Sequence, residues 1–174
     1  PMITKISIID TINQSSKPTI KQDLPSSFSW KDNNGTDWTT PAKDQGNCGS
    51  CSDFAALGAL ESIIQIREKC AALRLDLSEQ YVLSCLHHYA GTCAGGSAYY
   101  AYVYIKRCYV DGQYRNGIIP EFCFPYQVND KVPCANKSPN WNHYLIPISG
   151  YGYWYPSGNA TDIAAIKTKI IESG

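Results

Sequence analysis

The stretch DQGNCGSCSDFAALGALES, residues 44 to 62, places two cysteines on a glycine-rich loop just before a long apolar run. The spacing of its apolar residues predicts a helix that starts at Ser50 and is apolar on most sides, as in a central buried helix. The apolar positions are Phe54, Leu57, Leu60, Ile63, Ile64 and Ile66. Ser50, with Asp53 three residues later, fits a capping box at the helix start. The stretch therefore predicts a loop that delivers a thiol into the first turn of a buried helix.

Cys48 and Cys51 form a C-x-x-C pair that is compatible with three kinds of site. A redox dithiol needs an apolar strand leading into the motif, whereas the preceding WTTPAKDQGN is polar and broken by Pro and Gly. A zinc site could recruit Cys85 and Cys93, although the chain has no second C-x-x-C and no H-x-x-x-H. A nucleophile beside a structural cysteine explains more of the surrounding residues.

The nucleophile hypothesis gives each neighbouring residue a chemical role. Cys51 would lie in the first turn of the helix, where free backbone amides and the helix dipole favour an anion, so a thiolate there can attack a carbonyl. Gln45 lies six residues earlier and can turn its side-chain amide toward the helix start. Together with the Cys51 backbone amide it would hold the oxyanion of a tetrahedral intermediate. Gly46 and Gly49 allow the loop to turn tightly.

This segment resembles the active-site segment of papain-like cysteine proteases, whose local signature is C-G-S-C followed by an aromatic residue. The motifs LPSSFSW, LSEQYVLSC, CAGG and CFPY also occur in the family's order and at about its spacing, so the resemblance covers residues 24 to 174. It implies that Cys51 is the nucleophile and Gln45 the side chain of the oxyanion hole. It also implies hydrolysis of peptide bonds without a cofactor or metal.

The resemblance also implies a set of substrate-binding positions. Gly95 and Gly96 would form the extended backbone edge that pairs with a peptide substrate. Ser97 and Ala98 fall where the family lines its main specificity pocket, so the near wall of that pocket should be small. Gly49 would lie beside the residue that precedes the scissile bond.

For the cysteines, the resemblance implies a disulfide between Cys48 and Cys93 that ties the active-site loop. It implies a second disulfide between Cys85 and Cys134, although Cys123 could compete with Cys85 for Cys134. With Cys51 set aside, seven cysteines remain, so at least one has no partner within the chain. The cysteines without an assigned partner are Cys70, Cys108 and Cys123.

Two residues after the nucleophile depart from the family pattern. Ser52 replaces the family's tryptophan, and Asp53 replaces a small residue. We interpret Asp53 as half of the capping box instead of a catalytic group. Its charge would nevertheless oppose part of the helix dipole's stabilisation of a thiolate at Cys51.

The catalytic base is not evident in this sequence. The family places its histidine and an orienting asparagine about 130 to 150 residues after the nucleophile, whereas 174 − 51 leaves 123 residues here. His87 and His88 are expected on the surface. His143 lies in NHYLIPISGYG, which superficially resembles the family's histidine segment, but the Asn-Ser-Trp-Gly sequence that should follow is missing. We expect the base beyond residue 174, or on a second chain, and little activity from this chain alone.

The expected fold class is α+β, a papain-like two-domain fold. Residues 1–23 would be a leader, propeptide remnant or linker, 24–144 the helical domain that carries the nucleophile, and 145–174 the start of a β-rich domain. Further helices are predicted from Ser78, from Ser97 and over 159–173, and YLIPISGYGYWY suggests one or two strands. The last helix would gather four isoleucines on one face: Ile163, Ile166, Ile170 and Ile171.

Composition limits the partners and the compartment. The 174 residues include 15 basic and 15 acidic side chains, so neither nucleic acid nor an anionic membrane is an expected partner. Eight cysteines and four N-glycosylation sequons suggest a secreted or lysosome-like setting and a glycoprotein. The sequons begin at Asn13, Asn34, Asn136 and Asn159.

Three functions therefore remain open at this point. A cysteine peptidase acting on a peptide or protein substrate is favoured, with a propeptide or second chain as a further partner. A non-catalytic protein of the same fold that binds peptides is the alternative. A disulfide-exchange protein would use Cys48 and Cys51 together, and it predicts that both thiols are alkylated together after mild reduction.

Overall fold

The computed structural model describes residues 23–152 and 160–173. Four α-helices lie in this part of the chain: α1 Cys51–Arg67, α2 Glu79–Cys85, α3 Ala98–Lys106 and α4 Ala160–Ser173. Four short strands form two antiparallel hairpins: β1 Gly91–Thr92 with β2 Gly95–Gly96, and β3 Cys108–Val110 with β4 Gln113–Arg115. None of the described helices is both long and apolar enough to cross a membrane.

Helix α1 is the centre of the helical domain, as its apolar pattern predicts. Leu57, Leu60 and Ile64 are buried in the main hydrophobic core, together with Tyr81 of α2 and Ile105 of α3. Because α1 contacts both other helices and the β1–β2 hairpin, it is fixed along its length. The first residue of α1, Cys51, is thereby presented from a rigid support.

The segment before the active-site loop is fastened to α1 and α2 by one lysine. Lys43 Nζ lies 2.9 Å from Glu61 Oε1, 2.9 Å from Glu79 Oε1 and 2.7 Å from Asp76 Oδ1. Burial opposes the charge on Lys43, but its hydrogen bonds to these three carboxylates outweigh that effect and raise its pKa. Both glutamates are buried, so Lys43 supplies the charge that makes their burial tolerable.

The predicted helix starts are correct in position but only partly in their caps. Ser78 caps α2, because its hydroxyl accepts a hydrogen bond of 3.0 Å from the Tyr81 amide. Ser97 precedes α3 without a side-chain cap bond. The capping box at α1 is wrong: the Ser50 hydroxyl bonds to Tyr126 instead of a helix amide, and the Asp53 carboxylate has no hydrogen-bond partner.

The strands predicted near the end are not formed in the described part of that segment. Over residues 144–152 only Ile146 pairs, in an isolated antiparallel bridge with Ile118. Pro147 directly follows Ile146 and has no N–H to continue a ladder. Residues 153–155 of the predicted strand region lie outside the described residues, as do residues 1–22 of the predicted leader.

Helix α4 matches its predicted range but does not bury its isoleucines. Ile163, Ile166 and Ile170 are exposed, whereas Asp162 and Ala165 are buried. The helix is held to the start of the helical domain, since Trp30 Nε1 donates a 2.8 Å hydrogen bond to the Ile170 carbonyl. Ile171 is half-buried, so the described residues cover the isoleucine face only in part. The domain boundary at residues 144 and 145 stays a prediction.

Candidate active site

The thiol of Cys51 is exposed at the first position of α1. The loop before it is held from both sides. Cys48 forms a disulfide with Cys93, and the Gly49 amide donates a 2.9 Å hydrogen bond to the Cys93 carbonyl. Ser50, which lies between Gly49 and Cys51, is fully buried. An accessible thiol thus lies at the positive end of a helix, on a loop with little freedom to move.

The same disulfide bears on the two other interpretations of the C-x-x-C pair. Cys48 is bonded to Cys93, so Cys48 and Cys51 are not present as a dithiol. Cys93 is taken up by that disulfide and Cys85 is bonded to Cys134, so neither of these two cysteines is free to bind zinc. Within residues 23–152 and 160–173, no three His, Cys, Asp or Glu side chains are grouped to hold a metal ion. The structure contains both disulfides that the resemblance implies.

Gln45 lies on the loop that leads to Cys51, and its side chain has a defined position. Its Nε2 donates a 2.8 Å hydrogen bond to the Cys48 carbonyl. Gly46 follows with a φ of +58°, the left-handed conformation that glycine adopts without strain. The amide carries two N–H bonds, and this hydrogen bond uses one of them to hold the side chain on the loop.

The predicted peptide-binding edge is the β1–β2 hairpin. Gly96 pairs with Gly91 and is exposed, while Gly95 has a φ of +126°, which a residue with a side chain rarely adopts. A Cβ at Gly49 would come within 2.6 Å of the Cys93 carbonyl oxygen, so glycine is required there for the loop and the hairpin to meet. Ser97 is half-buried directly after the hairpin.

Asp53 is the most unusual group near the nucleophile. It is fully buried two residues after Cys51, and neither carboxylate oxygen has a hydrogen-bond partner. Its carboxylate is packed against Gly91 so closely that a Cβ there would overlap it. Burial is the main cause that raises the pKa of Asp53 to about 7, and the charge of Glu79 adds to it. At acidic pH the carboxyl is therefore neutral.

The histidines make no hydrogen bond to Cys51 in the described part of the chain. His87 is exposed and stacked on Tyr104 with ring centroids 4.9 Å apart, and the exposed His88 ring lies 4.1 Å from it, in agreement with a surface position. His143 is exposed in a short 3-10 helix, Trp141–Tyr144. The catalytic base thus stays unassigned.

The remaining free cysteines differ in access. Cys108 and Cys123 are buried and Cys70 is half-buried, so Cys51 is the exposed thiol among the described residues. Burial raises the pKa of both the Cys108 and the Cys123 thiol. These two behave as core residues, and neither competes for Cys134, which is bonded to Cys85.

Two residues that support the site were not singled out from the sequence. Tyr126, the last residue of CFPY, places its hydroxyl between Ser50 and the Gln45 carbonyl. Lys43, in PAKDQG, fastens the segment that leads to Gln45. Tyr126 lies within a motif that carried the resemblance and Lys43 directly precedes the active-site segment, but neither position shows from sequence which buried partner the side chain will reach.

Comparison with known proteins agrees with this geometry. Residues 24–174 match the sequence model of the papain family of cysteine proteases. The chain is 35% identical over 129 residues to the probable cysteine protease RDL2 of Arabidopsis thaliana, covering 74% of this chain and 32% of that protein. It is 38% identical over 109 residues to a cathepsin L-like peptidase of Aedes aegypti, covering 62% of this chain and 28% of that protein.

Solved structures give the same result. Digestive procathepsin L2 of Tenebrio molitor superposes with a TM-score of 0.58 at 29% identity, over 77% of this chain and 38% of that one. The bromelain protease of Ananas comosus superposes with a TM-score of 0.50 at 31% identity, over 74% of this chain and 49% of that one. This chain belongs to the papain family of cysteine proteases and has its fold. It spans about a third of the length of the curated relatives it matches.

Proposed function

We propose that the protein is a cysteine peptidase that hydrolyses peptide bonds with Cys51 as its nucleophile. The thiolate would attack the scissile carbonyl, and the Gln45 side-chain amide with the Cys51 backbone amide would stabilise the oxyanion. A histidine would protonate the leaving amine. The observation that carries the proposal is the exposed Cys51 thiol at the start of α1, with the Gln45 amide fixed on the same loop.

The substrate would be an extended peptide paired with the backbone of Gly95 and Gly96. Support comes from the exposure of Gly96 and from the absence of a side chain that would hinder a strand lying along this edge. Gly49 would border the residue before the scissile bond. Ser97 and Ala98, both half-buried and small, would form the near wall of the specificity pocket.

The histidine and its asparagine would come from sequence that adjoins this chain, or from an associated chain. This follows from the partial coverage of the relatives and from the lack of a histidine bonded to Cys51 in the described residues. The exposed isoleucines of α4 would pack against that adjoining or associated segment. We further propose that residues 1–23 are a leader, a propeptide remnant or a linker, and that the protein acts in a secreted or lysosome-like compartment, which two disulfides suit.

A non-catalytic protein that binds peptides is the second candidate. The observation that favours it is the Ser52–Asp53 pair, in which an unpartnered carboxyl is buried two residues after the nucleophile. Such a protein would keep the glycine edge for binding but would not need Cys51 or Gln45. Substitution of Cys51 therefore distinguishes the two candidates, because it should abolish hydrolysis in a peptidase and leave peptide binding unchanged in a non-catalytic protein.

The test uses the natural full-length protein and a library of fluorogenic peptides. We expect hydrolysis by the wild type, its abolition in Cys51→Ala, and a fall in kcat of about 10² to 10³ in Gln45→Ala. Cys70→Ala, which removes another free thiol, is the matched control and should retain full activity. Peptide binding without hydrolysis, unchanged in Cys51→Ala, would instead establish the non-catalytic candidate.

A further inference from the structure

We propose that Tyr126 is a positioning residue, whose hydroxyl locks the oxyanion loop at Gln45 onto the first turn of the helix that carries Cys51. The proposal rests on the peptidase function above, because Gln45 acquires its chemical role only from that function. Tyr126 does not touch the reacting atoms in this scheme and acts through the two backbone segments that it joins.

The linkage is made by one oxygen atom. Tyr126 Oη donates a 2.8 Å hydrogen bond to the Gln45 carbonyl and lies 2.7 Å from Ser50 Oγ. A phenol has a single proton, and this one is directed to Gln45. The Ser50 hydroxyl must therefore donate to Tyr126, so both bonds are used at once and their directions are fixed.

The two partners are the residues that decide the geometry of the oxyanion hole. Gln45 supplies the side-chain amide, and Ser50 immediately precedes Cys51, which supplies the backbone amide. Ser50 is fully buried, so its hydroxyl would lose its hydrogen-bond partner if the phenol were absent. An unpaired buried hydroxyl is unfavourable, and the first turn of α1 would shift to relieve it.

Tyr126 is itself firmly held, as a positioning residue has to be. Its backbone amide donates a 2.6 Å hydrogen bond to Glu121 Oε1, and the next amide, of Gln127, donates to Gln80 Oε1 at 2.8 Å. Its ring packs edge-to-face on Phe54 of α1, with centroids 4.9 Å apart. The hydroxyl is thus placed by contacts of Tyr126 and Gln127 to α1, to α2 and to Glu121.

Burial raises the pKa of Tyr126, with Asp53, Glu79 and Asp44 adding to that effect and the Ser50 bond opposing it. The phenol therefore keeps its proton at any pH at which a peptidase of this family would be assayed. Its donation to Gln45 should not titrate, so a Tyr126 variant is expected to change the rate without changing the shape of the pH profile.

The test compares Tyr126→Phe with Tyr102→Phe in the natural full-length protein. Tyr102 is a matched control, because its hydroxyl also donates to a backbone carbonyl, that of Ala56 in α1 at 2.7 Å, away from the Gln45 loop. The first readout is amide hydrogen exchange over residues 45–51. We expect exchange about tenfold faster in Tyr126→Phe only, which is the order of the effect of losing the two hydrogen bonds of the phenol.

The second readout is the kinetics of peptide hydrolysis, in a double-mutant cycle with Gln45→Ala. Tyr126→Phe should lower kcat about tenfold with KM changed less than twofold, and should have little further effect once Gln45 is alanine. An equal loss in both backgrounds, or unchanged exchange over 45–51, overturns the proposal. If the wild type does not hydrolyse peptides, the peptidase function fails separately, and the exchange measurement still decides whether Tyr126 holds the loop.

Discussion

Replacing Asp53 with alanine should stabilise the protein at neutral pH and above, and should destabilise it by about 1 kcal/mol at pH 4, where only the cavity cost remains. The buried carboxyl has no hydrogen-bond partner, and burial raises its pKa from the ordinary 3.8 to about 7. At pH 5 to 6 the Asp53 carboxyl therefore still carries its proton in the folded state, whereas it has already lost that proton in the unfolded state. The contribution of Asp53 to stability is therefore fully present below pH 3.8, is lost between 3.8 and about 7, and is constant above that range.

The size of the effect follows from the two pKa values. Each pKa unit corresponds to about 1.4 kcal/mol, so full ionisation of Asp53 in the folded state costs about 4 kcal/mol. That figure is an upper bound, because water entry or a small movement of the hairpin would relieve part of it. Asp53→Ala should recover most of this at pH 8, less about 1 kcal/mol for the small cavity left behind.

The assay is urea denaturation at pH 4 and pH 8, followed by tryptophan fluorescence. Burial also raises the pKa of Glu121 to about 7, so the wild type alone would not isolate Asp53. The difference between wild type and variant at each pH cancels that contribution. Asp53→Asn is the control, since it removes the charge but keeps an unpartnered polar group. An equal change in the free energy of unfolding at pH 4 and pH 8 would show that ionisation of Asp53 does not destabilise the folded state.

Three further perturbations test the supports of the site. Lys43→Met should cost about 3 to 5 kcal/mol in urea denaturation, because two buried glutamates lose their counter-charge; a change below 1 kcal/mol would contradict this. Gly91→Ala should destabilise by about 1 to 3 kcal/mol through overlap with the Asp53 carboxylate, and Asp53→Ala should suppress that cost. Replacing Cys48 and Cys93 together with alanine opens a loop of 45 residues and should cost about 2 to 4 kcal/mol, measured as a lowered urea midpoint.

Features that depend on nearby residues were predicted well from the sequence. The start of α2 at Ser78 is decided within four residues, because its hydroxyl reaches the Tyr81 amide. Helix α1 follows from the spacing of its own apolar residues. The two disulfides were available only through the family resemblance, since cysteine spacing alone leaves several pairings possible.

The errors come from partners that are distant in sequence. Ser50 and Asp53 fit a capping box locally, but Tyr126, 76 residues away, takes the Ser50 hydroxyl. The close approach of Gly91 then leaves the Asp53 carboxylate packed against backbone without a hydrogen bond. The isoleucines of α4 show the same limit, because an amphipathic pattern identifies an apolar face without identifying what covers it.

Cys51 is, in our proposal, the reactive nucleophile of a papain-type site. The most direct measurement is the rate of alkylation of the natural full-length protein against pH, with the label located by peptide mass spectrometry. We expect the label on Cys51 alone and a rate that is already high near pH 5, because a paired histidine would hold the thiolate. A rate that rises only near pH 8, or a label shared with Cys48 after mild reduction, would contradict it.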